Sequence, residues 1–93
     1  MCLYTVGTLW YLTGMEIEFG THVLVRMAQR GVSREEVQKV VDEPDTILFA
    51  VDEHSNNHYL RRFTPERLSA EVMVTVVVDP YKRPNKVVTV MVA

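Results

Sequence analysis

The chain holds a single cysteine, Cys2, and one thiol excludes an intrachain disulfide. Its place beside the N-terminus suits neither a structural nor a catalytic role, and a chain without disulfides fits a reducing cytosol. Low-complexity tracts and internal repeats are absent. The uncharged stretch from Met1 to Gly14 is too short to span a bilayer and lacks the Lys or Arg of a signal peptide, so no membrane association is expected. His54 and His58 are four apart, with Asp52 and Glu53 beside them, but no cysteine or third histidine stands at ligand spacing. Neither a metal nor another cofactor is expected. A nucleophile constellation is missing too, since Ser33 is explained by helix capping and Ser55 and Ser69 fall in turns. Excess positive charge is also lacking. The net charge of −2 argues against indiscriminate binding to nucleic acid.

What is present is an ordinary globular composition, 47% hydrophobic and 24% charged, over 93 residues. That is enough for one core and one domain. A single α+β domain is expected over residues 15–93. Two readings fit residues 1–14: a strand or arm belonging to the protein, or an upstream extension with Met15 as the natural start. Charge is unevenly spread. Residues 15–53 carry nine acids and four bases, and residues 54–93 carry three acids and six bases. The second part can therefore present a local basic surface on an acidic protein.

Glu16 to Phe19 alternates polar and apolar residues and predicts a short strand. Thr21 is the expected N-cap of a helix running to Arg30, with Val23, Leu24, Met27 and Ala28 gathered on one side. Gly31 can adopt the left-handed conformation that ends it. Ser33 with Glu36 forms a capping box, so a second helix starts there, burying Val37, Val40 and Val41 and stopping at Pro44. Strands are expected over Thr46–Val51, His58–Phe63, Val72–Val78 and Val87–Val92. The fold class is thus α+β, with two helices packed on a largely antiparallel sheet of about four strands. The valine-rich strands are apolar on both faces, which predicts cover on both sides or a partner on one.

The chemistry gathers in three places. His22, Arg26 and Arg30 lie four apart on one flank of the first helix. Guanidinium groups offer a planar fork of donors to phosphate oxygens, and an imidazole can exchange a proton near neutral pH. The plainer alternative is that Arg26 and Arg30 pair with Glu16, Glu18 or Asp45 and only hold the helix in place. On the strand expected over His58–Phe63, His58, Leu60 and Arg62 share one face, and Tyr59, Arg61 and Phe63 the other. A basic strand with aromatic neighbours can bind an RNA backbone, yet it can equally be a solvated sheet face. Lys82, Arg83 and Lys86 flank a proline-bounded turn that can grip phosphates or serve as a soluble hairpin tip.

The pattern His22-x-x-x-Arg26-Met27-x-x-Arg30-Gly31-Val32-Ser33-x-x-x-Val37, followed by Pro44-Asp45 and ending in Val87-Val88-Thr89-Val90, resembles the bacterial domain-of-unknown-function 4258 family. The likeness covers about residues 15–92, and the helix pair is its specific part. That family is similar in layout to RelE/ParE-type toxins and, in its basic helix before a Gly-Val-Ser helix start, to BrnT toxins. The resemblance implies a RelE/ParE-like α+β fold and, by analogy, a toxin-antitoxin role acting on RNA or the ribosome. The chain's acidic net charge departs from the strongly basic RelE-type ribonucleases.

Two functions from different classes follow. One is a metal-independent endoribonuclease using the RNA's own 2′-hydroxyl. Arg26 and Arg62 would stabilise charge on the scissile phosphate, and His22 or His58 would move protons. Arg30, Arg61, Lys82, Arg83 and Lys86 would bind the RNA or a partner. The other is a non-catalytic interaction domain, an inactive relative of a toxin–antitoxin component. It would meet an acidic antitoxin-like protein or a second copy of itself in a homodimer. A cytoplasmic location fits either.

Overall fold

The computed structural model describes residues 15–93. The two readings of residues 1–14 lie outside that range. Helix formation in this chain is written locally. Helix α1 runs Thr21–Arg30 and buries Val23 and Met27, one turn apart. Its N-cap is Gly20 rather than Thr21. Gly20 supplies an extended backbone but no side chain, so the cap carries no side-chain hydrogen bond. Gly31 ends the helix at φ 74°, and its N–H bonds back to the helix carbonyls. Two residues later Ser33 and Glu36 close a reciprocal capping box that starts helix α2, Arg34–Asp42. Val37, Val40 and Val41 form its buried face, and Glu43 caps it before Pro44.

The strands are β1 (Ile17–Phe19), β2 (Thr46–Leu48), β3 (Asn57–Phe63), β4 (Val72–Asp79) and β5 (Asn85–Val92). They form one sheet in the order β1-β5-β4-β3-β2. There are five strands where about four were expected, and the sheet is mixed. β1 joins the edge parallel to β5, with Phe19 opposite Val87, while all other pairs are antiparallel. β2 is half the expected length. Ala50 sits at φ 48°, a left-handed conformation that turns the chain after Leu48.

Register decides which faces are buried. Tyr59, Arg61 and Phe63 lie opposite Val76, Val74 and Val72, and β5 brings Val90 and Val92 alongside. This is the helix-covered face. Tyr59, Val74, Val76, Val78, Val87 and Val90 share one core with Val23, Met27, Val32, Val37, Val40 and Val41. α1 lies over β5, and α2 over β3 and β4. Each buried valine contributes roughly 1.5–2 kcal/mol of transfer free energy, so this small interlocked set supplies most of the driving force. His58, Leu60, Arg62, Met73 and Thr75 lie on the other face, which no described helix covers; Val77 shares that face but is only 4% exposed. A bulge at Val77/Val78 lets Val88 protrude from β5.

Candidate functional site

The N-terminal end of α1 faces the hairpin that joins β4 to β5. Gly20, Thr21, His22 and Val23 form one wall of a cavity of about 450 Å³. Asp79, Lys82, Lys86, Val87 and Val88 form the other. A neighbouring depression of about 510 Å³ shares Asp79, Lys82 and Val88 and adds His54, Asn56 and Tyr81. Together they make one trough from the start of α1 to the β2–β3 loop.

Local sequence explains each wall. With glycine at the cap and no acidic residue in its first turn, α1 presents its first N–H groups and the positive end of its dipole unneutralised. The Asp79–Asn85 hairpin is held by its own polar groups. Asp79 Oδ1 accepts the Tyr81 N–H at 2.9 Å, and the Arg83 guanidinium bonds the Pro80 carbonyl at 3.1 Å and Asn85 Oδ1 at 3.3 Å. Arg83 is thus folded onto its turn, while Lys82 and Lys86 are exposed and line the trough. Two carboxylates temper the positive charge: Asp79 and Glu18 lie opposite Lys86 in the strand register on either side. Three cationic or protonatable side chains and an open helix end still converge there. That arrangement suits a phosphate or carboxylate ligand.

The residues singled out in the sequence separate into three groups. His22, Lys82 and Lys86 come together in the trough. Arg26 lies one turn along α1 from His22, exposed, and Arg30 a further turn on. Among the described residues no carboxylate lies within ion-pair distance of either arginine, so Glu16, Glu18 and Asp45 do not hold them.

The residues of β3 lie elsewhere. Arg61 sits on the helix side, donating to the Glu43 carbonyl, with the Glu43 carboxylate at 3.6 Å. Arg62 is exposed on the open face opposite Met73, at the far end of β3 from the trough. Its backbone N–H donates to Asp45 Oδ2 at 2.9 Å. His58 Nε2 is 3.1 Å from Asp52 Oδ2. Asp52 organises the β2–β3 loop, also accepting the backbone N–H groups of His54 and Asn56 and the Asn56 side-chain amide. The Asn56 N–H first, with help from His58 and His54, holds the Asp52 carboxyl down at about 2 against the cost of desolvation. His54 projects into solvent at the trough's far end, 3.7 Å from Glu53.

Sequence reasoning missed Asp79, Tyr81 and the Gly20 cap as parts of this site. Asp79-Pro80 is readable as a turn, but nothing in the sequence brings that turn against the start of α1. His54 and Asp52 were visible only as poor metal ligands. Among the described residues no group of three or more His, Cys, Asp or Glu side chains is placed to hold a metal ion. No described helix is long and apolar enough to cross a membrane.

The profile of a family described as a domain of unknown function (DUF4258) matches residues 19–92. No curated protein matches the chain, and no solved structure does. The match covers both helices and all of β2 to β5, and the chain belongs to that family.

Proposed function

We propose that this member of the domain-of-unknown-function 4258 family is a RelE-like toxin, a metal-independent endoribonuclease that holds an RNA phosphate in the trough at the start of α1. One observation carries the reading: His22, Lys82 and Lys86 line the same cavity as the N-terminal end of a ten-residue helix whose glycine cap offers no side-chain hydrogen bond. The helix N–H groups and the two ammonium groups would bind the phosphate oxygens, and Arg26, one turn on, would add a planar donor pair. The RNA's 2′-hydroxyl oxygen would attack the adjacent phosphorus as the bond from phosphorus to the 5′-oxygen breaks. His22 would take the 2′-proton and deliver one to the departing 5′-oxygen. The products are a 2′,3′-cyclic phosphate and a 5′-hydroxyl end. His58 and Arg62 lie outside this arrangement, and Arg30 would extend the phosphate contacts along α1.

A second reading has its own support. His58 and Arg61 are engaged inside the protein, and residues 15–53 carry a net charge of −5. On that reading the trough binds the carboxylates of an acidic antitoxin-like partner and no chemistry follows. Induced expression separates the two. Growth arrest with new 5′-hydroxyl ends in cellular RNA, abolished by His22→Ala and Arg26→Ala, is the expected result. Both side chains are exposed, so neither change removes a core contact. Normal growth and intact RNA at high levels of folded protein would eliminate the toxin and leave the interaction domain.

A further inference from the structure

β2 is an edge strand. One side pairs with β3, and no described strand pairs with the other. Ile47 and Leu48 on this edge are 36% and 41% exposed, and the corner that follows leaves Phe49 at 70% and Val51 at 49%. Thr46 to Val51 contains no charged residue, proline or glycine. Protein edges are normally blunted by such residues, because a bare edge templates pairing with another chain. The corner is ordered: Ala50, in its left-handed conformation, donates its N–H to Asn57 Oδ1 at 2.9 Å, and the Val51 N–H bonds the Asn56 carbonyl at 3.1 Å. Phe49 is therefore held outward by a built turn.

Charge identifies the occupant. Glu43 and Asp45 precede this segment, and Asp52 and Glu53 follow it. The side chains of Glu43 and Glu53 are 67% and 87% exposed. Arg61 and Arg62 of β3 lie just beyond its pairing with β2, on the inner side of that strand, and counting both still leaves the acids in excess by two. Two copies of this chain meeting edge to edge would oppose like charges across a three-residue ladder. We propose that the β2 edge docks an extended segment of another protein, apolar along its middle and carrying Lys or Arg at its ends. The segment would add a sixth strand, with an apolar side chain resting on Phe49.

The test uses the full chain and two fluorescent peptides, each alternating Val and Thr, one ended by lysines and the other by glutamates. Fluorescence anisotropy should show binding of the lysine-ended peptide, weakening as salt rises, and at least about tenfold weaker binding of its glutamate-ended twin. Phe49→Ser and Glu53→Lys should each reduce the affinity for the lysine-ended peptide, the first by about tenfold or more. Both positions are exposed, and circular dichroism checks that the variants fold. Slowed amide exchange on binding should be confined to residues 46–51 and their β3 partners. The proposal is overturned if neither peptide binds, if both bind equally, or if protection appears elsewhere. It also falls if the protein alone forms a dimer that Phe49→Ser dissociates, since the edge would then belong to a second copy.

Discussion

His58 Nε2 lies 3.1 Å from Asp52 Oδ2, and this contact fastens the beginning of β3 to the turn after β2. The same carboxylate accepts three N–H donors from His54 and Asn56. It is the hub of the loop that closes one end of the trough.

That hub should be visible in acid. The Asn56 N–H foremost, together with His58 and His54, holds Asp52 at about 2, below its ordinary 3.8. A depressed folded-state value means the carboxylate's stabilisation is complete above about pH 4 and is lost as pH falls towards 2. Thermal melts across that range should show Asp52→Asn less stable than the parent at pH 6, with the gap narrowing towards pH 2. A gap of constant size would contradict the assignment.

The capping box of α2 gives a second prediction. Burial opposes ionisation of Glu36, but the N–H groups of Ser33 and Glu66, the Ser33 hydroxyl and the Arg67 charge outweigh it and lower its pKa. Ser33→Ala should cost about 1 kcal/mol, which in a domain of this size lowers Tm by roughly 4–8 °C. Glu36→Gln keeps the shape of the box but gives up the acid-side dependence, so its melts should track pH less steeply below 4.5.

Gly31 is needed for its backbone and for the space beside it. Its φ is 74°, and an added Cβ would lie 3.2 Å from Leu68 Cδ2. Gly31→Ala should therefore destabilise by about 1–2 kcal/mol. Val25→Ala on the exposed side of α1 should change stability by less than about 0.5 kcal/mol. Urea titrations of the two variants give the comparison directly.

In the trough, Lys82→Ala and Lys86→Ala should each weaken binding of single-stranded RNA while leaving the melting temperature within a degree or two of the parent. If each lysine contacts one phosphate, the slope of log affinity against log salt should fall by about 0.7 per substitution. An unchanged slope would place the RNA elsewhere on the protein.

The helix pair was legible because its signals are short-range. Gly31 ends one helix, Ser33 and Glu36 begin the next, and the spacing of Val37, Val40 and Val41 marks the face that packs. The sheet was only partly legible. Its valine-rich strands are apolar on both sides, so alternation could not say whether His58 or Tyr59 faces the helices; the register with β4 decides it. Thr46–Val51 reads as one β-prone run, yet the left-handed Ala50 ends β2 after Leu48, and no residue type signals that turn. The trough was least legible. His22, Lys82 and Lys86 were each visible, but they meet only through the packing of α1 beside β5 and the pairing of β1 with β5, and neither leaves a mark in local sequence.

The pairing of β1 with β5 joins Ile17 to Asn85, 68 positions later. Contacts that distant form after local ones, because a long loop must close first. During synthesis, the ribosome must deliver residues 85–92 before β1 has a neighbour to align with and before α1 has a strand to rest on. The trough is therefore among the last parts of the molecule to be completed. A nascent chain interrupted before Asn85 can cap both its helices correctly and still have no site at all, so whatever the trough does is withheld until translation has passed that point.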